Sequence, residues 1–150
     1  MTLEDDIGIL AGVEIFEDFT HEQMRLLAFG TERLKYSIGR ELYREGDTAD
    51  SAYVVVSGTV ALVRDTQAGR VVVAQCGRGS VLGELALIVE TKRLTGAVAA
   101  GDVEVIRLSR GLFRRMLEEY PQIAVVMHRR LSRGLVTMIA RIESLAPKFQ

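Results

Sequence analysis

The chain has 150 residues, 48% of them hydrophobic and 26% charged, with 2 Pro, 14 Gly and a formal net charge of -1. That length holds one domain able to bury roughly 70% of its unfolded surface, with no need of a disulfide or metal staple. Such a composition excludes a disordered tail, a collagen-like repeat and a disulfide scaffold, and the charge gives no bulk field towards nucleic acid or an anionic membrane.

Residues 1–30 read as a helical region. Met1 to Asp6 carries three acids and no base, unlike a secretory or transit leader. Thr20 to Gln23 has the form of a capping box, in which the Thr20 hydroxyl accepts from the Gln23 N–H and the Gln23 side chain reaches back. Met24, Leu27 and Ala28 follow at helical spacing, and Gly30 is a stop. Ile15 and Phe16 precede this helix and tuck it against the body.

Residues 31–108 read as many short strands. Leu34–Tyr36–Ile38 and Leu42 show period-2 character, while 53–56, 60–63, 71–74, 97–99 and 103–108 are rich in valine and other β-formers. Gly39, Gly46-Asp47, Ser57-Gly58, Gln67-Ala68-Gly69, Gly77-Arg78-Gly79 and Gly101-Asp102 mark turns between them. Regular short strands with glycine turns predict a sandwich or a closed roll. Residues 83–90 break the pattern as a short helix former between strands.

Residues 109–146 return to helix. Ser109 is a good N-cap, and Leu112, Phe113, Met116 and Leu117 form an apolar face. Pro121 ends that helix and starts another, which runs to about Leu145. The expected fold is mainly β with flanking helices: one domain over 1–150 with no linker.

The chemistry concentrates in Gly83-Glu84-Leu85-Ala86-Leu87-Ile88-Val89-Glu90-Thr91-Lys92-Arg93. A helix start leaves main-chain N–H groups free for an anion. Glu84 offers a carboxylate for hydroxyls, and Arg93 offers a planar fork for phosphate. Together they suit a ribose phosphate. The bland alternative is a surface ion pair, a contact that contributes only ~0–1 kcal/mol.

This segment resembles the phosphate-binding cassette of the cyclic nucleotide-binding domain family, of the catabolite activator protein and protein kinase A regulatory subunit type. Gly83-Glu84-Leu85-Ala86-Leu87 matches in full, and Arg93 falls at the expected distance. Arg44-Glu45-Gly46-Asp47 and Tyr53-Val54-Val55-Val56-Ser57-Gly58-Thr59-Val60 resemble the family's early strands, Leu112-Phe113 and Tyr120-Pro121 its final helices. The resemblance covers about Phe16 to Leu145. It implies a double-stranded β-helix (jelly-roll) barrel with a cassette at 83–95.

It also implies a stand-alone, non-enzymatic domain that senses cAMP or cGMP and passes movement of its last helices to a partner or a dimer interface. Glu84 would accept from the ribose 2′-hydroxyl, and Arg93 would pair with the exocyclic phosphate oxygens. Main-chain N–H groups of Gly83, Glu84, Leu85 and Ala86, and those of Leu94 and Thr95 just after Arg93, would complete the phosphate site. Val72 and Val73 would line the purine. The sequence departs from the family after Arg93: the family usually places Ala, Ser or Thr there, and this chain has Leu94, Thr95 and Gly96, of which Leu94 is bulkier. Alternatives are a transcription regulator lacking its DNA-binding part and a non-binding scaffold for protein contacts.

Other chemistries find little support. Cys76 is the only cysteine, so no intramolecular disulfide or multi-cysteine zinc site forms, and a cytoplasmic, reducing compartment is expected. The two histidines, His21 and His128, lie in separate helices outside the β zone, so no metal and no cofactor is expected. The longest apolar runs fall far short of the ~20 residues that cross a bilayer. His128, Leu131, Leu135, Met138, Ile142 and Leu145 trace a heptad seam, which predicts a homodimer through the last helix. Arg129, Arg130, Arg133 and Arg141 on that helix read as a solvated face rather than a nucleic acid contact.

Overall fold

The computed structural model describes residues 3–13, 16–125, 129 and 132–133. Two helices lead, α1 (Leu3–Ala11) and α2 (His21–Phe29). Ten strands follow: β1 (Glu32–Tyr36), β2 (Glu41–Tyr43), β3 (Thr48–Ala49), β4 (Ser51–Ser57), β5 (Val60–Thr66), β6 (Gly69–Cys76), β7 (Val81–Leu82), β8 (Thr91–Lys92), β9 (Gly96–Ala99) and β10 (Val103–Ser109). A short 3-10 helix, Glu84–Leu87, separates β7 from β8, and α3 (Arg110–Glu119) closes the body. Residues 121–125 are helical again, beginning at Pro121 as its fixed φ favours.

The capping box forms as expected. The Gln23 N–H donates to Thr20 Oγ1 at 3.2 Å, and the Thr20 N–H donates to Gln23 Oε1 at 2.9 Å. Ser109 caps α3 in the same manner, accepting from the Leu112 N–H at 3.2 Å. Each device satisfies main-chain donors that a helix start would otherwise leave unpaired.

The strands build two four-stranded antiparallel sheets, ordered β1-β10-β4-β7 and β2-β9-β5-β6, and β3 pairs with β8 as a separate two-stranded piece. The roll is therefore a jelly-roll of two facing sheets and does not close into a hydrogen-bonded barrel. Ile38 falls in the turn after β1 and is exposed, so the first strand ends earlier than its alternation predicted.

β4 explains why the chain carries three consecutive valines. Ala52, Val54 and Val56 point into an apolar cluster with Leu10, Phe16, Leu27, Leu87, Ile106, Leu108, Phe113 and Met116. Tyr53 and Val55 point the other way, into a cluster with Leu42, Leu62, Val73, Leu82, Ala97 and Val105. A strand covered on both faces reads as a continuous apolar run, not as alternation. The molecule is thus layered as helices, first sheet, second sheet.

Two register shifts interrupt the pairing of the second sheet. On β2, Glu41 pairs with Val98 and Tyr43 with Ala97, so two residues advance against one. On β6, Leu62 pairs with Ala74 and Val63 with Val72, leaving Val73 as the extra residue. Such bulges re-aim side chains. The tight turn at Gly58 has its own requirement: its φ is +83°, and a Cβ there would run into the Asp102 carbonyl oxygen.

Candidate functional site

The cassette hangs between the first sheet and α3. Gly83 opens the 3-10 helix with φ +71° and ψ 35°, a left-handed conformation that costs a non-glycine residue about 1–2 kcal/mol. Ala86 and Leu87 are buried, and Leu87 joins the cluster that includes Phe113 and Met116. The 3-10 helix is thereby anchored from below while its opening end stays at the sheet rim. Its first turn spends one donor internally, since the Ala86 N–H donates to the Gly83 carbonyl at 3.1 Å. Ala86 is therefore not among the free N–H groups expected from the sequence to meet an anion.

Glu84 follows. Its carboxyl is largely buried, and Oε2 has no hydrogen-bond partner within the protein. Burial pushes its pKa above the ordinary carboxylate value, with its own main-chain N–H pulling less strongly the other way. Leu85 is partly exposed.

Arg93 enters from the far end of the cassette. Its main chain is fixed to the loop before β3: the Arg93 N–H donates to the Asp47 carbonyl at 2.8 Å, and the Gly46 N–H donates to the Arg93 carbonyl at 2.9 Å. The side chain turns inward and is only 7% exposed. Its Cζ lies 4.1 Å from the centroid of the Tyr43 ring and 5.8 Å from that of Tyr53, and the two rings are 5.8 Å apart. Nη2 donates to Ser51 Oγ at 3.4 Å, while Nε and Nη1 have no partner. The guanidinium also fills the space where a Gly83 side chain would stand.

Glu84 and Arg93 form no ion pair with each other among the described residues. Both act on the Tyr43 phenol, which sits in a shared field: burial raises its pKa most, Arg93 lowers it, and Cys76, Glu84 and Tyr53 raise it further. The bland reading of the two residues as a surface ion pair is thus not what the geometry contains. What it contains is a largely buried carboxyl and a buried guanidinium, each with unspent hydrogen-bonding capacity.

The remaining sequence-assigned residues divide. Thr95 is buried just after Arg93, whereas Leu94 is 40% exposed, turned to solvent rather than packed away. Val73 is buried in the cluster between the sheets, but Val72 is 51% exposed. The two valines therefore differ in exposure, at the point where the register of β6 shifts. Tyr43 and Ser51, which hold Arg93, were not foreseen; nothing in a three-residue strand announces a bulge.

Among the described residues no group of three or more His, Cys, Asp or Glu is placed to hold a metal ion, and no helix is long and apolar enough to cross a membrane. The seam from His128 to Leu145 lies outside the described residues.

A two-sheet roll with a glycine-opened cassette and an inward arginine defines a ligand-binding regulatory module. The sequence profile for the cyclic nucleotide-binding domain matches residues 33–120, and the chain belongs to that family. A cyclic nucleotide-binding-like protein from Brucella abortus is 58% identical, with a TM-score of 0.71, over 76% of this chain and 98% of that one. The catabolite activator protein of Thermus thermophilus is 28% identical, with a TM-score of 0.72, over 88% of this chain and 62% of that one. A lysophospholipase from Chaetomium globosum is 34% identical over 98 residues, 65% of this chain. The chain spans only 6% of that enzyme's length.

Proposed function

We propose that this domain is a non-enzymatic sensor of a cyclic purine mononucleotide, cAMP or cGMP. One observation carries the reading: Glu84 Oε2 and Arg93 Nε and Nη1 are buried and unpartnered. Each buried polar atom left unpaired costs about 1–3 kcal/mol. A cyclic ribose phosphate supplies the missing partners, a 2′-hydroxyl for the acid and exocyclic oxygens for the guanidinium. Main-chain N–H groups of Gly83, Glu84 and Leu85, with those of Leu94 and Thr95, complete the anion site. The purine lies along the sheet at Val73.

Ligand binding repositions the cassette, and Leu87 passes that movement to Phe113 and Met116 on α3. A ligand moves such an equilibrium only by its differential affinity for the two positions. Output then reaches a protein effector or a second copy through the last helix, in the cytoplasm.

Titration calorimetry with cAMP and with cGMP tests the proposal. The expected result is saturable binding of at least one nucleotide, abolished by Arg93→Ala. Absence of heat and of any thermal shift with both nucleotides at about 1 mM refutes it, since a ligand at 100 times its dissociation constant stabilises the fold by ~2.7 kcal/mol.

A further inference from the structure

We infer that Tyr43 is the positioning residue of the anion site: its ring face, aimed inward by the β2 bulge, holds the Arg93 guanidinium flat while leaving Nε and Nη1 without a protein partner for the ligand to meet. This role rests on the sensor reading and adds to it a residue that acts through Arg93.

The bulge supplies the first reason. Strict alternation along β2 would send Leu42 inward and Tyr43 out. The register shift between Glu41 and Tyr43 lets both pack against the cluster between the sheets. An irregularity in a three-residue strand thus has one evident result, an aromatic ring under Arg93.

Geometry supplies the second. A guanidinium donates hydrogen bonds in its own plane and meets an aromatic ring through its face. The 4.1 Å contact with Tyr43 therefore fixes orientation without consuming a donor. The one edge contact inside the protein is to Ser51 Oγ, whose own hydroxyl donates to Asp50 Oδ1 at 3.0 Å, so a lone pair is left to face Arg93. Nε and Nη1 remain unspent.

Entropy supplies the third. An exposed arginine loses its rotamer freedom when it binds phosphate. Here that freedom is already lost on folding, because the side chain is caged by Tyr43, Tyr53 and Ser51. Ligand binding no longer bears the cost, and affinity rises by that amount.

The experiment pairs a spectroscopic readout with binding. The Arg93 Nε–H resonance, assigned by its loss in Arg93→Lys, is followed by NMR in the wild type, Tyr43→Phe and Tyr43→Leu. Ring-current shift and slow exchange are expected in the wild type and in Tyr43→Phe, and their loss in Tyr43→Leu. With cAMP and cGMP, Tyr43→Phe should keep wild-type affinity while Tyr43→Leu loses about tenfold. An unshifted resonance in the wild type overturns the inference even if Tyr43→Leu fails to fold. So does a folded Tyr43→Leu that keeps wild-type affinity or gains it. A wild type that shows the shifted resonance but binds neither nucleotide overturns the sensor reading, and with it the role assigned to Tyr43.

Discussion

Arg110 fastens α3 to the cassette: its Nη1 donates to the Val89 carbonyl oxygen at 2.9 Å, and also to the Ala49 carbonyl at 3.2 Å. Arg110 is the first residue of the helix, and its own N–H donates to the Asp50 carbonyl at 2.8 Å. One side chain therefore bridges β3, the middle of the cassette and the start of the helix. Val89 is thereby linked to the first residue of α3 through a single side chain.

Replacing Arg110 by Ala should remove both side-chain bonds while leaving the main-chain bond to Asp50. The Val89 carbonyl left behind is exposed but Ala49 is buried, so the expected loss is about 1–3 kcal/mol, seen as a fall of several degrees in the thermal midpoint. If α3 responds to the cassette through this bond, nucleotide-induced change in exchange of the α3 amides should weaken in the same variant.

Gly83→Ala should do more harm than an ordinary surface change. The position has φ +71°, and the added methyl would displace the Arg93 guanidinium. Backbone strain alone should destabilise the fold by about 1–2 kcal/mol in a denaturant titration. Affinity for cyclic nucleotide should fall as well, because the guanidinium is pushed from its seat on Tyr43.

Glu84 sets a pH dependence. Burial raises its folded pKa above the ordinary value of 4.5. A raised folded pKa means the native state keeps its proton longer than the unfolded chain does. The associated stability is complete below the unfolded pKa and is lost as pH rises through the folded pKa. Glu84→Gln removes that loss. Urea unfolding at pH 4 and pH 7 should show the variant gaining on the wild type as pH rises; a difference that stays constant or shrinks would contradict the burial of a titrating acid here.

Phe113 lies at the junction of helices and cassette. It is fully buried, with ring centroids 6.0 Å from Phe16 and 6.5 Å from Phe19. Phe113→Ala should cost about 3–5 kcal/mol by calorimetry, since the rigid surroundings collapse only partly into the space left.

The sequence carried the elements whose causes are local. Thr20 with Gln23, and Ser109 with Leu112, are bonds between residues three apart, so the caps were legible as spacing. The valine-rich strands and their glycine turns were legible for the same reason. The cassette was legible as a family resemblance, and the structure places Gly83 and Arg93 at one point although they are ten residues apart. What escaped depends on strand register. The register shift on β2 brought Tyr43 beneath Arg93. The β3–β8 pair, two residues long on each side, has too little pattern to be read at all. Ser51 meets Arg93 across 42 positions of chain, a contact set by the roll and not by either segment.

β4 is a partition one strand thick. Val54 and Val55 are neighbours in sequence and both fully buried, yet they face different apolar compartments. A methyl group removed from Val54 hollows the chamber shared with the helices, whereas one removed from Val55 hollows the chamber enclosed by the sheets. Adjacent codons thus address the helix-facing compartment and the sheet-enclosed compartment separately.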